Sequence, residues 1–190
     1  MCGRYYIAID EDELREIGDE AEKIAIRYPE PISVKTHGEL FPTNVVPVRT
    51  GRDGIVPMKW GFMNFDKKLL INARSETAHQ KPTFRRPMLE GRCLVPASGY
   101  YEWQRADEKK NKFQFFIPNT PIYFAGCYRM EKESPIGRFV ILTRQAVNGL
   151  EYFHDRMPVI IPREKFDEWL YESSDAIESA VVNLAYQQVA

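Results

Sequence analysis

The chain has 190 residues, of which 44% are hydrophobic and 13% aromatic, and a net charge of −1. This size and composition suit one globular domain with a substantial core, so we predict a single domain over residues 1–190. No apolar run approaches the roughly 20 residues that span a bilayer, and the N-terminus lacks the layout of a signal peptide. We therefore expect a cytoplasmic protein without a membrane segment. The three cysteines form no Cys-x-x-Cys pair, which disfavours a zinc site and a disulfide framework, and we predict neither a metal nor a cofactor.

Charge is unevenly distributed along the sequence. Residues 10–30 carry nine acidic and three basic side chains, whereas residues 59–92 carry eight basic and three acidic ones. A local basic stretch in a neutral protein can bind phosphates on one face, although solvated surface charge is the commoner cause. Charge alone therefore neither predicts nor excludes binding to nucleic acid.

Cys2 is the first residue along the chain with distinctive chemistry. Removal of Met1 would expose an α-amine and a thiol on one residue, with ordinary pKa values of about 7.7 to 8.0 and about 8.5. A chance cysteine in a first strand is the alternative interpretation. These residues alone favour neither.

The pattern that follows predicts mostly strands between two helices. Asp10 is placed as the N-cap of a peripheral helix, with Glu13 three residues later and Leu14 beginning an apolar face. Prolines and a glycine between residues 29 and 47 predict a loop-rich stretch. Runs rich in Val, Ile, Phe and Tyr then predict a largely antiparallel sheet system, over residues 55–62, 93–103, 112–117, 122–128, 138–143 and 156–161. A closing amphipathic helix is predicted over residues 163–171.

Three polar residues interrupt these apolar runs. Asn72 follows an apolar pair directly, and Glu102 is flanked by aromatic residues that would exclude water and raise its pKa towards neutrality. His154 stands just before an apolar strand, where it could project from the end of a sheet. Glu102 and His154 each have an ordinary alternative interpretation, as an outward-facing glutamate and as a capping or core histidine.

Four segments together resemble a known family. The residues are Met1–Tyr5, Ile71–Thr77, Arg92–Trp103 and His154–Val159, and they closely resemble the signature blocks of the SOS response-associated peptidase family, the abasic-site processing proteins. The match extends in family order from residue 1 to about residue 170. The resemblance implies an α+β fold: a single-domain distorted antiparallel β-barrel or set of sheets with peripheral helices. It also implies an enzyme of the DNA damage response, nucleoid-associated if bacterial, that crosslinks to abasic sites in single-stranded DNA.

The resemblance assigns the catalytic set by motif. Cys2 is the nucleophile and Asn72, Glu102 and His154 are its partners. The deoxyribose of an abasic site opens to an aldehyde. The 1,2-aminothiol of an N-terminal Cys2 would attack this aldehyde first through nitrogen and then through sulfur, which closes a thiazolidine ring. Glu102 would transfer protons in a lyase-like manner, His154 would stabilise the sugar oxygen, and Asn72 would hold the amine or the sugar. The peptidase activity in the family name would be removal of Met1.

A second set of residues is implied to face the DNA. Arg4 and Arg74 lie inside the family segments, and Lys81 and Arg85 follow in the basic stretch, so phosphate contacts are expected. Pro42 matches a proline that wedges against bases. Where the family typically has Trp-Gly-x-x-Pro-x-Trp, this chain reads Trp60-Gly61-Phe62-Met63-Asn64-Phe65-Asp66, so Phe65 would replace the stacking tryptophan. Trp60 fits the core and the DNA interface equally well.

Two other functions remain open. Glutamine amidotransferase domains also expose a cysteine in a Met-Cys-Gly start, but they need no downstream Glu102 and His154. A DNA-binding module without catalysis would bind intact and abasic single strands alike. We expect a monomer whose partner is single-stranded DNA with abasic sites.

Overall fold

We describe the protein from a computed structural model, in which residues 3–106, 109–132 and 134–189 are described. Met1 and Cys2, the predicted nucleophile, lie outside these residues. The α-helices are α1 (Asp12–Ala25), α2 (Ser75–Ala78) and α3 (Pro82–Glu90). The strands are β1 (Tyr5–Ile7), β2 (Gly38–Leu40), β3 (Val45–Thr50), β4 (Gly54–Trp60), β5 (Phe62–Met63), β6 (Leu69–Leu70), β7 (Asn72–Arg74), β8 (Arg92–Ala97), β9 (Gly99–Ala106), β10 (Lys109–Phe116), β11 (Ile122–Arg129), β12 (Arg138–Gln145), β13 (Arg156–Pro158) and β14 (Ala185–Val189).

Two main sheets organise the described residues. The first has the order β14-β10-β9-β1-β2, with antiparallel pairing throughout. The second runs β11-β8-β3-β4-β12-β13, and β11 also pairs with β12, so five of its strands form a closed ring. The predicted α+β class with mainly antiparallel sheets is confirmed. Two pairings depart from it, because β4 and β7 both run parallel to β12.

Aromatic residues fill the space between the two sheets. Tyr5, Trp60 and Tyr100 are almost fully buried in one apolar cluster, which also holds residues of the closed ring. A second cluster joins buried residues of α3 with residues that follow β13, and it includes the fully buried Trp169. Trp60 is therefore a core residue, which answers the question that the sequence left open.

The predicted strand over residues 93–103 is in fact two strands in different sheets. β8 ends at Ala97 in the second sheet and β9 begins at Gly99 in the first. The crossing requires glycine, because a Cβ at Gly99 would lie 2.3 Å from the Phe115 carbonyl oxygen. The Ser98 hydroxyl accepts a hydrogen bond from the Ala8 N–H at 2.8 Å and ties the crossing to the residue after β1. This change of sheet brings Glu102 beside the N-terminal strand.

Other predicted elements differ in detail. The first helix begins at Asp12 with Glu11 as N-cap, not Asp10, and its buried face includes Leu14. The stretch predicted as loop-rich contains β2 and the first residues of β3, and the helices α2 and α3 were not predicted. The closing helix is irregular, with 3₁₀ turns over Arg163–Lys165 and Ser174–Ser179 and a π-helical turn over Glu168–Glu172. Its predicted apolar face is nevertheless buried.

Candidate active site

Glu102 is a buried carboxyl in the middle of β9. Side chains alternate along a strand, so Glu102 shares a face with buried Tyr100 while Tyr101 and Trp103 lie on the other face. The residue is only 6% exposed. The pKa of Glu102 is raised from 4.5 to about 7, mainly by burial and to a smaller extent by the charge of Asp155. The expected burial of this carboxyl is confirmed.

Strand β1 carries the start of the described chain along β9. Tyr5 pairs with Tyr100, and the Tyr101 N–H donates to the Arg4 carbonyl at 2.9 Å. Continued antiparallel pairing puts Gly3 level with Glu102. The described chain therefore begins at the buried carboxyl.

Asn72 begins β7 and is fixed through the residue before it. The Ile71 carbonyl accepts the Trp60 indole N–H at 2.9 Å and the Ile141 N–H at 3.2 Å. Asn72 itself is half-buried and pairs with Ile141 in the parallel register of β12. A buried indole and a central strand thus set the position of this amide.

His154 lies in the turn between a 3₁₀ turn and β13. The Arg156 N–H donates to His154 Nδ1 at 2.9 Å, so the neutral ring carries its proton on Nε2. The Asp155 carboxylate lies 2.6 Å from the same Nδ1, and it can accept a hydrogen bond from Nδ1 only when that nitrogen carries a proton. Nδ1 can therefore accept from the Arg156 N–H or donate to the Asp155 carboxylate, but it cannot do both at once. The charge of Asp155 also raises the pKa of Glu102, so this turn lies within electrostatic range of the buried carboxyl.

An ion pair missed at the level of sequence joins the Asn72 and His154 segments. The Arg156 guanidinium donates to both oxygens of Glu76 at 2.7 and 2.8 Å and to the Thr143 carbonyl at 2.6 Å. The Arg156 hydrogen bond lowers the pKa of Glu76 from 4.5 to about 2. Both residues lie in the family-like segments, and their opposite charges were the available signal.

Arg4 lies between two aromatic rings at the edge of the first sheet. Its guanidinium carbon is 4.7 Å from the ring centroid of Phe41 and 4.7 Å from that of Trp103. Lys35 also lies over Phe41, at 5.3 Å, and Glu39 lies 3.5 Å from Arg4. Cations and aromatic faces therefore alternate beside the strand that carries Glu102.

Pro42 occupies a strained turn next to this cluster. The Asn44 N–H donates to the Phe41 carbonyl at 3.0 Å, with Pro42 and Thr43 as the central residues. Thr43 has a φ of 75°, as the third position of a type II turn requires, although a β-branched side chain disfavours it. The Thr43 N–H donates to the Trp60 carbonyl at 2.9 Å, and the Asn44 side chain accepts from the Phe41 N–H at 2.9 Å. These bonds hold Pro42 at the protein surface.

The remaining predicted DNA-facing residues are all exposed. Arg74 ends β7, two residues after Asn72, whereas Lys81 precedes α3 and Arg85 lies on it. Phe65 is fully exposed on the turn between β5 and β6 and borders a cavity beside α3. The structure thus brings Arg4 and Pro42 together and sets Phe65 beside the helix that carries Arg85.

Neither a membrane-spanning helix nor a metal-binding cluster is found among the described residues. No helix among them is long and apolar enough to cross a membrane. No group of three or more His, Cys, Asp or Glu side chains in the same part of the chain is placed to hold a metal ion.

Comparison with known proteins identifies the family. The sequence profile described as "SOS response associated peptidase (SRAP)" matches residues 1–189. The chain belongs to the SRAP family. Abasic site processing protein YoqW of Bacillus subtilis (strain 168) is 32% identical over 190 residues, which cover 90% of this chain and 80% of that protein. Abasic site processing protein YedK of Escherichia coli (strain K12) is 30% identical, over 96% of this chain and 85% of its own length.

A solved structure shares the SRAP fold of this chain. It is a crystal structure of a Bacteroides thetaiotaomicron protein, with a TM-score of 0.78, 20% identity, and coverage of 100% of this chain and 92% of that one. At this identity the likeness concerns the fold alone.

Proposed function

We propose that this SRAP domain, residues 1–190, crosslinks covalently to abasic sites in single-stranded DNA through Cys2 after Met1 is removed. The observation that carries the proposal is Glu102, a buried carboxyl with a pKa of about 7 level with Gly3, the residue that follows Cys2 in sequence. The relatives named abasic site processing proteins supply the substrate class. In this proposal the protein acts as a monomer in the response to DNA damage.

The proposed reaction balances without an oxidant or a metal. Hydrolysis of the bond between Met1 and Cys2 consumes one water and frees the amine. The amine adds to the aldehyde carbon of the ring-opened sugar, and loss of water gives an imine. The Cys2 sulfur then adds to the imine carbon while its proton passes to nitrogen, which closes the thiazolidine.

Glu102 is proposed as the group that transfers these protons. Because its pKa is about 7, both protonation states are populated near neutral pH. The acid form can protonate the departing hydroxyl of the carbinolamine, and the carboxylate can take a proton from the attacking amine. A solvent-exposed glutamate, with a pKa near 4.3, would almost always be ionised.

His154 and Asn72 are proposed to bind the sugar. The His154 imidazole is proposed to donate a hydrogen bond to the sugar oxygen that is released when the sugar ring opens. Asn72 offers an amide with both a donor and an acceptor, which suits a hydroxyl or an amine. Arg4, Pro42, Phe65, Arg74, Lys81 and Arg85 are proposed to bind the flanking nucleotides.

The test is formation of an adduct that survives denaturation. Protein whose mass shows an N-terminus at Cys2 is incubated with a single-stranded oligonucleotide that contains one abasic site, then boiled in SDS and run on a gel. We expect a shifted band for the wild type, no band for Cys2→Ala, and no band with intact DNA. Cys2→Ser retains the amine but loses the thiol, so it should give only an adduct that hydrolyses on heating.

Two results would contradict the proposal. One is a wild-type band equal to that of Cys2→Ala, since the crosslink would then not depend on the aminothiol. The other is binding of intact and abasic strands alike without any adduct, which would favour the non-catalytic module. Glutamine hydrolysis without an adduct would favour the amidotransferase alternative.

A further inference from the structure

A long groove lies beside α3, formed by residues other than the proposed catalytic ones. It consists of two adjoining cavities of about 670 and 350 Å³. The cavities share Arg52, Glu90 and Tyr128 and therefore form one continuous depression. Its walls are α3, the turn between β3 and β4, the end of β11 and the turn between β5 and β6.

Exposed apolar side chains border this groove at both ends. Leu89 is 68% exposed and Met130 is 61% exposed, although side chains of this kind are usually buried. Tyr171 is 61% exposed at the second cavity. Scattered single residues of this type are ordinary, but several along one groove mark an interaction surface.

The cations of the groove are mostly engaged within the protein. Arg92 donates to the Trp169 and Met88 carbonyls, and Arg129 donates to the Met63 carbonyl. Arg86 pairs with Glu90 at 2.8 Å. Arg52 is exposed and forms no ion pair with any residue of the described part of the chain.

We propose that this groove binds a short peptide segment of a partner protein, with two or more apolar side chains and one carboxylate. The apolar side chains of the peptide would cover Leu89 and Met130, and the carboxylate would pair with Arg52. Charge complementarity supports this occupant, because exposed Arg52 has no ion-pair partner in the described part of the chain, whereas Glu90, the acidic residue of the lining, is already paired with Arg86. The proposal does not depend on the proposed crosslinking reaction.

Phe65, which belongs to the proposed DNA-facing set, borders the first cavity, but the rest of the lining is poorly suited to a DNA strand. A strand presents a phosphate at every nucleotide, and its affinity comes from several cations that are available to neutralise them. Among the described residues that line the groove, Arg52 is the arginine without an ion-pair or carbonyl partner, and the lining includes aliphatic residues and proline, such as Met63 and Pro87. Aliphatic side chains favour a peptide partner over stacked bases.

The experiment selects peptides from a phage-displayed library of random 12-residue sequences on the full chain. Labelled copies of enriched peptides are then titrated by fluorescence anisotropy. We expect apolar residues with one Asp, Glu or terminal carboxylate, and we expect Leu89→Asp and Arg52→Glu each to weaken binding by about tenfold or more. Ile26→Asp and Arg27→Glu are matched controls on the far end of α1, since Ile26 is also 68% exposed.

Three results would overturn the proposal. The first is no enrichment over the Leu89→Asp protein used as the selection background. The second is equal affinity of the selected peptides for wild type and both groove variants. The third is loss of binding to an intact oligodeoxythymidine in the same variants, which would make the groove a nucleic-acid surface. Adduct formation with abasic DNA should be unchanged in Leu89→Asp, so the two proposals fail separately.

Discussion

At the scale of single residues, the protonation of Glu102 is the property that the fold changes most. Its pKa is raised from 4.5 to about 7 by burial, so the native state holds a proton that the unfolded chain would release. The stability that the protonated carboxyl contributes is fully present below pH 4.5 and is lost as pH rises through about 7. Between these two pH values the free energy of unfolding falls by at most about 3 kcal/mol.

Glu102→Gln should therefore separate catalysis from stability. We expect crosslinking to abasic DNA to slow by about a hundredfold or more, because the amide cannot transfer protons. We also expect its free energy of unfolding to change less between pH 4.5 and 7 than that of the wild type. Rates come from time courses on SDS gels, and stabilities from urea unfolding at several pH values.

Glu11→Gln is the matched control for this change. Glu11 is half-buried at the start of α1, and burial also raises the pKa of its carboxyl. It should alter the pH dependence of stability without slowing the crosslink. A Glu102→Gln protein with wild-type rates of crosslink formation and reversal would remove Glu102 from the proposed chemistry.

At the scale of elements, the site depends on how strands are joined. Asn72 begins β7 directly after Ile71, whose carbonyl accepts the Trp60 indole N–H and the N–H of Ile141 in β12. A buried hydrogen bond contributes about 1 kcal/mol, and leaving its acceptor unsatisfied costs more. The core residue Trp60 therefore acts on the amide as a positioning residue.

Trp60→Phe should slow crosslinking, whereas Trp169→Phe should not. Both indoles are fully buried and donate to a backbone carbonyl, Trp60 at 2.9 Å to Ile71 and Trp169 at 2.8 Å to Cys93. We expect each variant to lose about 1 to 3 kcal/mol of stability. Urea unfolding and adduct yield, both measured at 25 °C, give the comparison. Equal crosslinking losses in the two variants would show that only global stability matters.

Some features of these elements could be predicted from the sequence, and others could not. Glu102 and His154 were identifiable because polar groups inside apolar runs are unusual whatever the fold. The change of sheet between Ser98 and Gly99 was not, because it depends on the Phe115 backbone, which is distant in sequence and leaves no room for a Cβ. Helix α3 was missed because its sequence contains Pro87 and a short apolar face, which weaken the helical pattern.

The pairing of Glu76 with Arg156 shows the same limit. The two residues are 80 positions apart, and a sequence does not specify which opposite charges will meet. The parallel pairing of β7 with β12 and the antiparallel pairing of β12 with β13 bring them together. Long-range register, and not local propensity, determined this part of the site.

At the scale of the whole molecule, binding of DNA must rely on local charge. The net charge is only −1, so the protein as a whole offers a polyanion little attraction. Arg4 and Lys35 with their aromatic neighbours, and Arg74 beyond Asn72, concentrate positive charge near the proposed site. Attraction of this kind is screened by salt.

We expect adduct formation at limiting DNA concentration to fall by about tenfold or more between about 50 and 200 mM salt. Arg4→Ala should lower the rate and make the slope on a logarithmic plot shallower by about 0.7, as expected for the loss of one phosphate contact to a single strand. Arg15→Ala removes an exposed arginine that pairs with Asp12, and it should change neither the rate of adduct formation nor the slope against salt concentration. A salt-independent rate would argue against phosphate contacts at this surface.

The place of β1 within its sheet also affects the biogenesis of the protein. β1 lies between β2 and β9, and its partners in β9 are made more than 90 residues after it. At translation rates of about 5 to 20 residues per second, roughly 5 to 20 seconds pass before β9 can pair with it. If the proposed removal of Met1 is performed by an aminopeptidase at the ribosome, that enzyme has this interval to act before the first sheet assembles.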